Sequence, residues 1–235
     1  QAAAVQPKIL LYPKTALLNS LGCVIHFLGF GYAYGNGTPD NGALPIKKSL
    51  NYCSGAACLL RTSAVKEGGF FDKEFFMYHE DLDLGWRFRL AGYQNIFAEQ
   101  AVVYHEYEFS RSIKKYYFME RNRFIVILQN YQALSLLLIL PALIVMELGL
   151  FIFSFKNGWG QEKLKVYAYF FSFKAWRDII AKRKAVKSLR KISDRGVVLD
   201  FSGKIEHQEI NSRLLENIVN PLFNFYWQIV KKLMI

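Results

Sequence analysis

The chain has 235 residues, 52% of them hydrophobic, and a formal net charge of +11. A chain of this length buries one good core with an appendage, or two small units. Its cysteines, Cys23, Cys53 and Cys58, are odd in number, sit in apolar surroundings and form no CxxC pair, which excludes a disulfide framework or a zinc site and fits buried thiols in a reducing compartment.

The sequence begins Gln-Ala-Ala-Ala-Val without Met, so it is expected to be cut from a longer polypeptide. Residues 1 to about 110 read as α/β. Runs rich in β-formers at 8–12, 22–27, 51–61, 93–98 and 101–105 are broken by Gly, Pro and Asn segments. Residues 29–45, with several glycines, Asn36, Pro39 and Asp40, read as a loop. Thr62 suits the N-cap of a short helix ending at Gly68-Gly69. Residues 80–90 form a helix stopped by Gly92, with Leu82, Trp86 and Leu90 on one face.

After Ser110, which suits an N-cap, the pattern turns helical and increasingly apolar. Residues 133–155 hold one acid, Glu147, and one proline, Pro141. As a helix they run roughly 34 Å, enough for a bilayer core of about 30 Å, and membrane contact is expected. The charges leave the orientation open. Lys114, Lys115, Arg121 and Arg123 precede the segment, and Lys156, Lys163 and Lys165 follow it, so there is no positive-inside asymmetry. Pro141 and Glu147 disfavour a plain lipid-facing span. A re-entrant or in-plane helix with both ends cytoplasmic fits as well as a crossing. Residues 159–176 mix aromatics with lysines and read as an interfacial amphipathic helix, and 217–235 form a second apolar-aromatic stretch ending in Lys231-Lys232. The expected organisation is therefore an α/β unit at 1–110, a membrane-associated helical region at 111–195 and a tail at 196–235.

Basic residues greatly outnumber acids across 156–204, densest at Lys182-Arg183-Lys184 and at Lys187, Arg190 and Lys191. Such a stretch calls for an anionic partner or free solvation. No zinc-finger, RNP or helix-turn-helix signature accompanies it, so no nucleic acid is expected; the neighbouring apolar segment favours anionic membrane lipids.

The acids Glu80, Asp81 and Asp83 follow the aromatic run Phe75-Phe76-Met77-Tyr78 and open a helix. Carboxylates in a first turn offset the helix dipole, which is one reading. The other makes one of them a general base for a hydroxyl nucleophile, beside an aromatic surface on which a sugar ring stacks. His105 reads either as a histidine satisfied by the backbone or as a Mg²⁺ or Mn²⁺ ligand. His79 reads as a solvent-exposed strand end, and His26 and His207 as structural. Arg121 either snorkels at an interface or clamps a diphosphate. Ser54-Gly55-Ala56-Ala57 reads as a tight segment whose small residues let an acceptor approach the backbone.

Taken in order, these residues resemble inverting family 2 glycosyltransferases of the rhamnosyltransferase-like kind. The resemblance runs from Cys53-Ser54-Gly55-Ala56-Ala57-Cys58-Leu59-Leu60-Arg61 through Gly68-Gly69-Phe70-Phe71-Asp72. It continues with His79-Glu80-Asp81-Leu82-Asp83-Leu84-Gly85-Trp86-Arg87, then Ala91-Gly92-Tyr93, then Val103-Tyr104-His105. The resemblance implies a GT-A fold, here a partial GT-A sheet followed by membrane-associated helices, with a nucleotide-sugar donor and a divalent metal, Mg²⁺ or Mn²⁺. It implies Asp81 as the base that deprotonates the acceptor hydroxyl, Glu80 as the group holding acceptor hydroxyls, and His105 as a metal ligand. Ser54, Gly55 and Ala56 fall beside donor and acceptor, with Trp86 and Arg121 among the substrate contacts.

One departure stands out. The family's Asp-x-Asp metal motif and nucleotide-binding βαβ unit precede the region of Gln6-Pro7-Lys8, yet residues 1–50 contain only Asp40 as an acid. The expectation is an enzyme acting on a lipid-linked or surface-glycan acceptor at the cytoplasmic face of the bacterial inner membrane, inactive without its nucleotide-binding half. The alternative is a catalytically inactive membrane-bound scaffold.

Overall fold

A computed structural model describes residues 1–106, 113–206 and 213–235; Ser110 and His207 lie outside the described residues. The chain is mixed α/β with a mixed sheet. Its axis is β1 (Ala2–Tyr12), paired in parallel over its length with β7 (Gln94–Glu106). On its other edge β1 meets two short antiparallel strands, β2 (Leu18–Ser20) at Ile9 and Leu10, and β6 (Leu59–Leu60) at Ala4 and Val5. The short β5 (Ser49–Leu50) pairs with β7 at Asn95 and Ile96. A hairpin of β3 (Cys23–Ile25) and β4 (Gly31–Ala33) stands apart, so part of the 29–45 loop is strand.

Two strand expectations change. The runs at 93–98 and 101–105 form one continuous β7. The run at 51–61 is strand only at its end, because the Ser54 and Gly55 N–H groups donate to the side chains of Gln6 and Asp81 instead of joining a ladder.

The helices are α1 (Thr62–Gly68), α2 (Glu80–Leu90), α3 (Lys115–Asn130), α4 (Ala133–Lys156), α5 (Gly160–Phe170), α6 (Phe173–Leu189), α7 (Asp194–Val198) and α8 (Asn220–Leu233), the last preceded by a π-helical turn at Leu215–Val219. The interfacial helix expected at 159–176 is broken at Phe171 and Ser172 into α5 and α6. One core joins the three expected segments. Trp86 of α2 meets Tyr131 and Phe201 edge-on, each at 4.8 Å between centroids, and Phe27 stacks on Trp227 of α8 at 4.8 Å. Such pairs add about 0.5–1.5 kcal/mol each beyond the apolar area they bury.

The acid inside the apolar helix has a structural explanation. Glu147 turns toward α3 and α5, where Arg123 and Lys163 pair with it and with Glu120. Tyr167 adds a hydroxyl at 3.2 Å. Arg123 and Lys163 have no solvent exposure, so this is a buried four-charge network that matches two cations to two carboxylates.

The dense basic run finds much of its counter-charge inside the molecule. Lys182 pairs with Asp72 at 2.6 Å and with Glu74, Arg190 with Asp194 at 2.7 Å, and Lys191 with Glu67 at 2.6 Å. Arg183 donates to the carbonyls of Leu128 and Tyr131. An external anion is therefore not required by these four residues.

Candidate active site

The site is assembled on the N-terminal end of α2. Arg87 holds the approach to it, pairing with Asp83 at 2.8 Å while donating to the carbonyls of Gly68 and Phe70. This pins the Gly68-Gly69-Phe70 turn to the helix that carries the acids. Asp83 is itself buried and accepts hydrogen bonds from Gln129 and Asn130 of α3, so it is a structural acid.

Between the turn and α2 the backbone is forced into the left-handed region at three residues with side chains, Phe76 (φ 61°), Tyr78 (φ 63°) and His79 (φ 69°). Each such residue costs on the order of 1 kcal/mol, so the loop needs external support. Asn122 of α3 provides it: its side-chain amide donates to the carbonyls of Phe75 at 2.9 Å and of Met77 and Tyr78 at 2.8 Å. His79 is not an exposed strand end. Its Nε2 lies 3.1 Å from the Gly29 carbonyl, its Nδ1 is buried with no hydrogen-bond partner among the described residues, and burial, with Arg123 nearby, pushes its pKa down to about 4.

Asp81 is half-buried at the start of α2. One carboxylate oxygen accepts the Gly55 N–H at 2.9 Å and the other accepts the Leu82 N–H at 2.8 Å. Burial, and then the charge of Glu80, raise its pKa to about 6 despite those bonds. Such a carboxylate is a better proton acceptor than a solvated one while still ionised at neutral pH. Glu80 is its neighbour, with one carboxylate oxygen buried and without a hydrogen-bond partner among the described residues. Facing Asp81 is the segment Ser54–Gly55–Ala56. A Cβ on Gly55 would lie 3.6 Å from Asp81 Cβ, so glycine keeps the space over the carboxylate open. The segment is anchored by Gln6 of β1, whose side-chain carbonyl accepts the Ser54 N–H at 2.8 Å while its amide donates to Ser20 at 3.0 Å. Phe76, 73% exposed, and Met77 form an apolar lip beside the site, with the Phe118 ring 5.2 Å from that of Phe76.

The structure thus brings Glu80, Asp81, Ser54, Gly55 and Ala56 together, and it places three other expected residues elsewhere. Trp86 has no exposed surface and is a core residue, so direct substrate contact is ruled out by its packing. Arg121 is nearly buried, with its guanidinium on the Glu74 carbonyl at 2.6 Å and on the Asn122 side chain at 2.8 Å, so it supports the loop in place of reaching a diphosphate. His105 lies opposite Leu11 on β7, whereas Phe97 lies opposite Gln6. Five residues of strand, on the order of 16 Å, separate it from the Gln6 end of the site. Its Nδ1 is 3.1 Å from the Asn19 side-chain oxygen.

Among the described residues no group of three or more His, Cys, Asp or Glu is arranged to hold a metal ion. Among the described residues the donors therefore do not make up a complete divalent-metal site around His105. A lone amide in a strand or helix carries no motif; Gln6 is signalled only as a polar residue at an inward position of an apolar strand, and Asn122 is hidden among the buried charged residues Glu120, Arg121 and Arg123.

No family model matches the chain. A stretch of 61 residues is 39% identical to the N-acetylglucosaminyl-diphospho-decaprenol L-rhamnosyltransferases of Mycobacterium tuberculosis strains CDC 1551 / Oshkosh and ATCC 25618 / H37Rv. The match takes in 26% of this chain and 20% of each of those proteins, so the chain spans about a fifth of the length of the curated relatives it matches. It relates the chain to glycosyltransferases.

Proposed function

We propose that the chain carries the acceptor-side half of an inverting, family 2 glycosyltransferase, which moves a sugar from a nucleotide-sugar donor to a lipid-linked or surface-glycan acceptor. The observation that carries this reading is the Asp81 carboxylate, raised to about 6 and presented across an open glycine to the Ser54–Gly55–Ala56 segment. The similarity to proteins named as rhamnosyltransferases acting on a diphospho-decaprenol-linked sugar supports both the reaction class and the lipid-linked acceptor.

In this reading an acceptor hydroxyl sits beside Asp81 and gives its proton to a carboxylate oxygen as its own oxygen bonds to the anomeric carbon. The bond from that carbon to the donor's diphosphate breaks on the opposite face, and the nucleoside diphosphate leaves with the electron pair. Glu80 holds acceptor hydroxyls, and the second charge keeps Asp81 basic. Arg121 and Asn122 act on the loop and not on substrate. The donor, and any Mg²⁺ or Mn²⁺ it brings, belong to a nucleotide-binding unit with an Asp-x-Asp pair, which these residues do not supply; His105 contributes to that metal site only if such a unit completes it. The reaction is placed at the cytoplasmic face of the bacterial inner membrane, where a lipid-linked acceptor resides.

The test is sugar transfer to a polyprenyl-diphosphate-linked acceptor, assayed in membranes of cells producing the chain together with the nucleotide-binding unit that completes it. Asp81→Asn is expected to lower turnover by roughly 10²–10⁴-fold while donor binding is kept. Turnover within a few-fold of the parent would remove Asp81 from the role of base.

A further inference from the structure

α4 is the one helix among the described residues long and apolar enough to cross a membrane. Its packing decides whether it does so. The ion pairs of Glu147 with Arg123 and Lys163 fix its rotation about its own axis, with the acid turned to the protein. Ser135, Ile139, Ala142, Met146 and Ser154 fall on the same covered side. α8 lies alongside, tied by the Tyr226 hydroxyl to the Leu138 carbonyl at 2.5 Å. A helix that is apolar all round yet covered on only one side requires a second apolar environment. The uncovered side of α4 runs through Leu137, Ile144, Leu148 and Ile152, all more than half exposed. On α8 the matching stripe includes Phe225, 70% exposed, and Ile229.

A transmembrane orientation of α4 would carry its neighbours into hydrocarbon. α5 packs beside it and bears the exposed Lys165 with its partner Glu162. Those charges would then have to be desolvated, at a cost that the apolar face of α4 does not require the protein to meet. Seating the same stripe in one leaflet leaves the whole charged side in water.

The rim identifies the occupant. Lys156 ends α4, Lys231 and Lys232 end α8, and Lys174 stands beside Phe171 and Phe173, which are 90% and 84% exposed. An apolar surface whose two helices end in lysines complements anionic headgroups.

We propose that α4 and α8 form an in-plane platform that seats the protein in one leaflet of an anionic bilayer, with α4 lying along the surface. This deepens the membrane placement proposed above, and it is read without donor or acceptor, so its failure and that of the transfer reaction are separable. The experiment places single spin labels through Leu137→Cys, Leu148→Cys and Phe155→Cys in a Cys58→Ser background and measures their depth in vesicles of phosphatidylglycerol and phosphatidylcholine. All three labels are expected at a common depth, about 5–10 Å below the headgroups. Leu137 and Phe155 are roughly 27 Å apart along the helix, so labels running from one headgroup layer through the centre toward the other would overturn the proposal. Labels that stay out of lipid while the protein dimerises through this face would overturn it equally. Phe225→Lys, at an exposed position where folding is not at stake, is expected to weaken vesicle partitioning roughly tenfold with helical content unchanged. Unchanged partitioning would remove α8 from the platform.

Discussion

Asn122 hydrogen-bonds the Tyr78 carbonyl at 2.8 Å, and this bond from α3 holds the turn from which the Asp81 helix begins. The same amide also serves Phe75 and Met77, so one side chain reaches three carbonyls of a loop with three left-handed residues, with Arg121 sharing the Phe75 carbonyl at 3.4 Å. Asn122→Ala is expected to leave the fold in place by circular dichroism and to lower kcat by about 10–100-fold, with donor affinity little changed. Wild-type kcat in this variant would show that the loop holds its shape unaided.

The two glycines near the site predict opposite behaviour. Gly85 lies in α2, where alanine is ordinarily favoured by about 1 kcal/mol. A Cβ there would approach the Tyr52 Cα to 2.7 Å, so Gly85→Ala is expected to destabilise the protein by about 1–3 kcal/mol in thermal unfolding. Gly55→Ala meets nothing closer than 3.6 Å and is expected to keep its stability while losing transfer activity, because the methyl group covers Asp81. A stable and active Gly55→Ala would mean that the acceptor does not approach over that residue.

Removing Glu147 exposes the role of the buried network. Glu147→Gln leaves Arg123 and Lys163 sharing one carboxylate, Glu120, with no solvent at either cation. A loss of about 2–4 kcal/mol is expected, read as a lowered unfolding midpoint. A midpoint unchanged by the substitution would show that the network is not needed to hold α4 against α3 and α5.

Acid is expected to destabilise the protein before it protonates ordinary carboxylates. Burial lowers the pKa of His26 to about 3 and of His79 to about 4. The unfolded chain takes up protons at these residues as pH falls below about 6.5 and the folded chain does not, so stability rises with pH through this window and is lost below it. Glu120 adds to the loss at lower pH. Burial alone would raise its pKa, but Arg123 and Lys163 outweigh burial and hold it down, so its contribution is full above the ordinary carboxylate range and fades as pH falls below it. Asp81 acts in the opposite sense, its raised pKa favouring the folded state as it protonates near pH 6. Between pH 7.5 and 5 one aspartate opposes two histidines, so the unfolding midpoint is expected to fall over that interval, and Glu120 joins the loss below it. A midpoint that rises over that interval would contradict the placement of the two imidazoles.

Much of this arrangement was legible in the residues. The helix at 80–90 was marked by its first-turn acids and by Gly92, and α4 by an unbroken apolar run, because both signals are local. What was not legible depended on distant partners. Trp86 falls with Leu82 and Leu90 on the apolar face of its helix, as its burial bears out, whereas the substrate contact implied by the resemblance gives way to Tyr131 and Phe201, which enclose it from far along the chain. The basic run at 182–191 looked free until Asp72, Glu74 and Glu67 came to meet it. The break between α5 and α6 and the left-handed turn before α2 were missed because neither holds glycine or proline at the position that bends.

The most direct test of the central claim is the pH dependence of kcat/KM for sugar transfer. With Asp81 as the base, the rate is expected to rise with pH through an apparent pKa of about 6, since the protonated carboxyl cannot take the acceptor's proton. A rate that is flat from pH 5 to 8, with chemistry shown to be the slow step, would place the proton-accepting group elsewhere.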